Sequence, residues 1–222
     1  MRYEAYELER AVVGALGPRR ALREARLYVI LTAEVAGTSL AEAARRAVDG
    51  GAQILQVREK TMSDRGLVAA VRRVVALARP RGVPVLVDDR VDVALASGAH
   101  GVHLGDDDLL IADARRLLGP AAIVGATAHS ASEARRAERA GADYVSVGPM
   151  YATPLKPLLP ARGAGYLAEV KRLGLPFFCI GGITAENAKR RFVRVAVCSA
   201  VTAAKDPAAA ARALRRSLTS GA

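Results

Sequence analysis

No stretch of the sequence approaches the run of roughly 20 apolar residues that a membrane-spanning helix needs. The N-terminal "MRYEAYELERAVVGALGPRRALREAR" is charged throughout and lacks the apolar centre of a secretory signal. These absences predict a cytoplasmic protein with no membrane partner. Cysteine is also scarce. Cys179 and Cys198 each lie inside an apolar run, and two thiols in 222 residues make no disulfide framework, so they read as buried structural residues. His100, His103 and His129 have no zinc-binding spacing. Neither a G-x-S-x-G turn nor a P-loop is found, which argues against an esterase and a nucleotide triphosphatase. A formal charge of +11 raises the question of nucleic acid. The arginines behind it, however, are spread over helix-like segments such as "EARRAERAGAD" and "ARALRRSL", with no aromatic-interleaved basic patch and no helix-turn-helix, zinc-finger or RNA-recognition signature. An arginine-rich solvated surface without a nucleic-acid partner is expected. Lysine is rare, so Lys60 and Lys156, both in loops after strand-like runs, stand out.

What the chain does have is a rhythm. The apolar fraction of 51% is ample for a core, and it is concentrated in eight β-branched runs: 26–32, 52–58, 83–89, 101–105, 121–127, 143–149, 175–182 and 194–200. Their hydrophobicity is continuous rather than alternating, as expected of parallel strands buried on both faces. Helical segments lie between them. "SLAEAARRAVDGG" has Ser39 as N-cap and closes on Gly50-Gly51, while "SASEARRAERAGA" offers Ser130 and Glu133 as a capping box and Gly141 as its stop. "GGAQILQVR", "SGAHGVHLG" and "AGADYVSVG" repeat a Gly-Ala step just before a strand. Eight βα units at this spacing predict a TIM (β/α)8 barrel, with residues 1–25 as an extra N-terminal helical segment and residues 1–222 as one domain. A doubly wound open sheet is the rival, and the first strand lacks the G-x-G-x-x-G that would favour it.

In a barrel, active sites lie at the C-terminal ends of the strands. The residues at those ends are Gln56, Arg58, Glu59 and Lys60 after the second strand, and Asp88 and Asp89 after the third. Asp106, Asp107 and Asp108 follow the fourth, and Thr127 and His129 the fifth. The sixth strand leads into "GPMYATPLKPLLPARG" with Thr153 and Lys156, the seventh into Gly181-Gly182, and the eighth into Cys198-Ser199-Ala200. Carboxylates from adjacent loops are hard oxygen ligands suited to Mg²⁺, which completes its shell with water and phosphate oxygens. Arg58, Lys60 and Lys156 are suited to phosphate, and the turns after strands seven and eight to a second anion. Taken singly, each has a plainer reading. One of Asp106–Asp108 would cap the helix "LLIADARRLL", Arg90 and Asp92 would pair on a helix surface, His103 would be a core or rim histidine, His129 would cap or line the pocket, and His100 would face solvent.

Several of these segments together resemble one family. "QVREK" (56–60), "VDDRVDVALASGAHGVHLGDDDL" (87–109), "GATAHSASEA" (125–134), "AGADYVSVGPMYATPLK" (140–156), "IGGITAEN" (180–187) and "VCSAV" (197–201) are similar, in order, to the strand-end motifs of thiamine phosphate synthases and their thiazole tautomerase relatives. The resemblance implies a transferase of thiamine biosynthesis. It would join a hydroxymethylpyrimidine diphosphate to a thiazole phosphate and release pyrophosphate with Mg²⁺ as cofactor. Two small phosphorylated molecules would then be its partners. A homo-oligomer is compatible with the sequence. The resemblance further implies that Gln56, Arg58 and Lys60 contact the pyrimidine diphosphate, with Glu59 and Asp88 beside them, and that Asp89 and Asp108 are the Mg²⁺ ligands. Thr127 stands in place of a usual Ser near the diphosphate. Thr153 and Lys156 would hold phosphate groups, and Gly182 with the Cys198-Ser199 backbone the thiazole phosphate. Arg58, Lys60, Thr127 and Lys156 would carry the catalysis.

There are departures. Asp88 replaces the family's usual Asn and Asp106 its usual Gln, while Pro154 and Leu155 remove polar residues from the phosphate loop. "ENAKRRFVRVAVCSAV" lacks the Gly-Ala-Asp expected before the eighth strand, so that either the seventh helix is truncated or that loop is disordered or missing from the sequence. A thiazole tautomerase is the first alternative, supported by "KPLLPARG" and opposed by Pro149, which stands where those isomerases carry a histidine. A non-catalytic barrel that binds thiamine precursors or a partner protein is the second.

Overall fold

The computed structural model describes residues 17–152, 161, 165–189 and 191–218. Strands β1 (Leu27–Leu31), β2 (Ile54–Val57), β3 (Val85–Asp88), β4 (Gly101–Leu104), β5 (Ile123–Ala128), β6 (Tyr144–Val147), β7 (Phe177–Ile180) and β8 (Val195–Val197) coincide with the eight apolar runs, β5 passing the end of its run by one residue. All pair in parallel in sequence order, and β8 returns to β1 with Leu27 beside Val195, so the sheet closes into a barrel and the open-sheet rival is excluded. Helix α1 covers residues 17–24. Around the barrel follow α2 (Ala33–Ala36), α3 (Leu40–Asp49), α4 (Asp64–Ala78), α5 (Val91–Ser97), α6 (Ile111–Leu118), α7 (Ala131–Arg139), α8 (Leu167–Val170), α9 (Ala185–Ala188), α10 (Ser199–Thr202) and α11 (Pro207–Ser217).

Local chemistry fixes several of these boundaries. Ser39 and Ser130 accept hydrogen bonds from the N–H groups of Glu42 and Glu133 and so start α3 and α7. The expected reciprocal half of the box at Ser130 is absent: the Glu133 carboxylate takes the His129 N–H at 2.6 Å instead. The run 194–200 is not all strand, because Ser199 already opens α10. Between β7 and β8 the helix is a single turn, α9, which accords with the first of the readings offered for the missing Gly-Ala-Asp.

The two-residue period of the strands sorts their side chains into two cores. Outward residues such as Val29, Leu55, Val87, Val102, Val145 and Val197 pack beneath the helices. Inward residues Tyr28, Ile30, Ile54, Leu86, Ile123, Tyr144, Phe178 and Ala196 fill the barrel together with Leu22 and Ala25, contributed by α1 and the turn after it. Helix α1 therefore seals the barrel floor. Arg19 fastens it, with Nη2 3.0 Å from Asp143 Oδ1, while Arg115 holds Oδ2 of the same carboxylate at 2.6 Å. Inside, Tyr28, Tyr144 and Phe178 meet edge to face with centroids 5.4–5.9 Å apart. Gly125 makes the room, since a Cβ there would stand 2.1 Å from the Tyr144 ring.

Leu22 is 1% exposed and belongs to this inner core. Leu22→Ala should lower the unfolding free energy by about 3 kcal/mol in urea titrations, the usual cost of an unfilled leucine site. A loss under about 1 kcal/mol would show that α1 does not seal the floor.

Candidate active site

At the C-terminal ends of the strands the barrel opens into a cavity of about 690 Å³. Its floor is made by Tyr28, Ile30 and Ala196, and its walls come from the loops of every strand. Among the residues singled out from the sequence, Gln56, Arg58, Lys60, Asp88, Asp89, Asp106, Asp107, Asp108, Thr127, His129, Gly182, Cys198 and Ser199 all line it. Glu59 does not. Its side chain turns back to accept the backbone N–H of Ala33 at the start of α2, so its place among the substrate contacts is corrected to that of a loop fastener. Thr153 and Lys156, with Pro154 and Leu155 between them, lie outside the described residues.

The acids are arranged around cations. Asp88 ends β3 with its side chain 11% exposed, its Oδ2 lying 3.4 Å from Arg58 Nε and 3.2 Å from Lys60 Nζ. Its Oδ1 accepts from Gln56 Nε2 at 2.5 Å. Burial, reinforced by the neighbouring Asp89 charge, pushes the Asp88 carboxyl upward, while Lys60 and Arg58 pull it back. Asp89 pairs with Lys60 and has φ +60, a left-handed backbone that non-glycine residues adopt at some cost. The strand supports that conformation, because the Asp89 N–H donates to His103 O at 2.9 Å.

Asp108 comes up against Asp89 from the next loop. Burial raises its carboxyl, and a hydrogen bond shared with Asp89 raises it further. Burial works in the same direction on Asp89, but Asp108 and Lys60 outweigh it and hold Asp89 below the usual carboxylate range. None of the three consecutive aspartates caps α6, contrary to expectation: the N-cap position is Leu110, with no side-chain bond. Instead the Asp108 carboxylate accepts the Gly105 N–H at 2.6 Å, folding the loop so that it faces β3. Asp106 is exposed, with Oδ2 3.9 Å from His129 Nε2.

On the far wall the His129 Nδ1–H donates to Gly148 O at 2.7 Å, which fixes the ring toward the cavity. Gly182 has φ +62, and a Cβ there would stand 2.6 Å from Ala152 O, so the glycine is required for the loops after β6 and β7 to meet. Cys198 is half-buried and Cys179 buried, both free thiols, with burial pushing Cys179 up to about 12. Arg90 and Asp92 do pair, at 2.6 Å. His100 is half-buried rather than solvent-facing: its Nδ1 accepts from Val85 N at 3.0 Å, and burial holds the imidazole below its ordinary value.

Sequence reasoning missed Tyr28, Tyr144 and Ser146. Each is a buried inward residue on a strand, with its hydroxyl in a hydrogen-bonded cluster around His103 and Gln56. The available signal was period two: Tyr28, Gln56, Asp88, His103, Tyr144 and Ser146 all occupy inward positions of strands otherwise filled by aliphatic and aromatic side chains.

A family model described as "Thiamine monophosphate synthase" matches residues 27–204. The chain is 45% identical over 195 residues to a thiamine-phosphate synthase of Roseiflexus castenholzii, covering 85% of this chain and 86% of that one. It is also 45% identical over 201 residues to the thiamine-phosphate synthase of Anaeromyxobacter dehalogenans, with 88% of each chain covered. Among solved structures, thiamine phosphate pyrophosphorylase from Pyrococcus furiosus superposes with a TM-score of 0.80 at 34% identity, over 89% of this chain and 96% of that one. A 3-hexulose-6-phosphate synthase with a TM-score of 0.59 at 21% identity shares the barrel alone. With its closed parallel barrel and its motifs at the strand ends, this chain belongs to the thiamine monophosphate synthase family.

Proposed function

We propose that this chain is a thiamine-phosphate synthase, a transferase that joins hydroxymethylpyrimidine diphosphate to thiazole phosphate and releases pyrophosphate. The observation that carries this reading is the convergence of Asp89 and Asp108 beside Arg58 and Lys60 at one side of the cavity. The tautomerase alternative needs a proton-transfer group where Pro149 lines the wall, and proline has none.

Two carboxyls close enough to share a hydrogen bond form an all-oxygen donor pair suited to a hard divalent cation. Among the described residues no third His, Cys, Asp or Glu completes a set, so water and phosphate oxygens would fill the remaining positions. Asp89 and Asp108 would hold Mg²⁺, which when bound supplies positive charge against the diphosphate. The chain's own part is electrostatic and positional. Arg58 and Lys60, half-exposed at the rim, would release part of their hold on Asp88 and Asp89 to meet phosphate oxygens. Thr127 stands on the same side as His103 and would contribute a hydroxyl near the leaving group. The bond from the pyrimidine methylene to oxygen breaks with its electron pair on pyrophosphate, and the aminopyrimidine delocalises the carbocation. The thiazole nitrogen then supplies the new pair. Preorganised charge around the departing group, and a cavity that holds both partners, are what the protein adds to this step. Thr153, Lys156, Gly182 and Ser199 complete the reading as holders of phosphate.

Mixing the two phosphorylated substrates with Mg²⁺ should yield thiamine phosphate. Asp89→Ala and Asp108→Ala should each lower kcat/KM about a hundredfold or more, the ~3 kcal/mol expected when charge neutralisation of a leaving group is lost. Unchanged rates in those variants, or equal rates in EDTA, would remove the metal assignment.

The like-charge pair also predicts a stability effect. Because the native Asp108 carboxyl is raised, its ionisation costs native stability once the pH has climbed through that value. Asp108→Asn should therefore stabilise the metal-free protein at pH 7 by about 0.5–1 kcal/mol, screening by solvent keeping the figure small. The gain should shrink toward zero by about pH 3, below the ordinary aspartate value, where folded and unfolded chains both carry the proton. Urea titrations at the two pH values measure it.

A further inference from the structure

Tyr28 and Tyr144 have no part in the mechanism above, although they are 1% and 0% exposed and their hydroxyls join the two sides of the site. Toward β3, Tyr28 O–H donates to Gln56 Oε1 at 2.5 Å, and Gln56 Nε2 donates to Asp88 Oδ1 at 2.5 Å. Toward β5, the Tyr28 and Tyr144 oxygens are 3.0 Å apart, and Tyr144 Oη is 2.8 Å from His103 Nδ1. His103 Nε2 lies 3.1 Å from Thr127 Oγ1 and 3.2 Å from Ser146 Oγ.

The direction of every bond follows from the Asp88 end. With Arg58 and Lys60 at its Oδ2, the Asp88 carboxylate is an acceptor. Gln56 must therefore turn its amide N–H toward Asp88 and its carbonyl toward Tyr28. A phenol carries one proton. Tyr28 gives its proton to Gln56, so it accepts from Tyr144; Tyr144 gives its proton to Tyr28, so it accepts from His103. In the neutral imidazole the proton then sits on Nδ1, and Nε2 turns, as an acceptor, toward the hydroxyls of Thr127 and Ser146. Burial pushes both phenols upward, so each keeps the proton it donates.

We propose that Tyr28 and Tyr144 are positioning residues, forming a one-directional chain of hydrogen bonds that sets the His103 tautomer on the Thr127 side and the Gln56 amide orientation on the Asp88 side. Neither phenol takes part in bond making. Each acts through the polar group beside it, holding the two sides of the cavity in a single hydrogen-bonding state. The kinetic part of this inference rests on the synthase reading, whereas the tautomer does not.

Two measurements test it. Long-range ¹H–¹⁵N correlations on the ¹⁵N-labelled wild-type protein should show His103 protonated at Nδ1, with Nε2 as the acceptor nitrogen. An Nε2–H tautomer overturns the proposal, whether or not the chain makes thiamine phosphate. Tyr144→Phe keeps the ring against Phe178 and should turn that pure pattern into a mixture; an unaltered pattern denies Tyr144 its part. In the second measurement, Tyr28→Phe should lower kcat/KM for the pyrimidine diphosphate roughly ten- to a hundredfold, from the two buried groups left unmatched. KM for the thiazole phosphate should stay within about twofold. The double variant Tyr28→Phe, Gln56→Ala should be no slower than Gln56→Ala alone, because Tyr28 has nothing left to position. Losses that multiply would make Tyr28 act independently of Gln56 and sink the proposal. A wild-type protein that forms no product refutes the synthase reading and leaves the tautomer measurement standing.

Discussion

A carboxylate at the mouth of the barrel, withdrawn from water, is the constraint from which most of the site follows. The Asp88 side chain is 11% exposed, and a charge so placed must be met by hydrogen bonds and counter-charges. Arg58 and Lys60 meet it from the solvent side and Gln56 from the inside. Gln56 is itself buried, so the requirement passes inward: its carbonyl needs Tyr28, Tyr28 needs Tyr144, and Tyr144 needs His103. Gly125 leaves the space in which the Tyr144 ring stands. A polar column thus runs through the same interior that Ile54, Leu86, Ile123 and Phe178 fill with apolar side chains.

Charge is distributed unevenly between surface and mouth. The chain carries +11 overall, yet five of its aspartates line the cavity. The basic exterior favours the approach of anions. The acidic mouth repels them until cations intervene, and Asp89 and Asp108 are held together at a cost that a bound cation would relieve. Asp89 also sits in a left-handed backbone, so steric and electrostatic tension fall on the same residue. Strain gathered at one place in an otherwise regular barrel is the usual mark of a working site.

The strands were legible because burial on both faces demands continuous β-branched runs. Ser39 and Ser130 were legible because capping is a short-range affair. Whatever depended on three-dimensional convergence was not. One of Asp106–Asp108 was expected to cap α6, because sequence spacing cannot show that the loop folds back on Gly105 and leaves Leu110 at the N-cap. Glu59 looked like a neighbour of Lys60 in function as well as in sequence, but an odd position past a strand end points it away, to Ala33. Tyr28 and Tyr144 were read as apolar strand residues, which their rings are; only the closed barrel brings two phenols more than a hundred residues apart within bonding distance.

The helix beneath the barrel has a consequence for traffic. Leu22 and Ala25 stop the lower end, and Arg19 bolts them there through Asp143, so among the described residues the upper rim is the doorway left to a molecule resting on Tyr28 and Ile30. Whatever lies deepest must then arrive first and depart last.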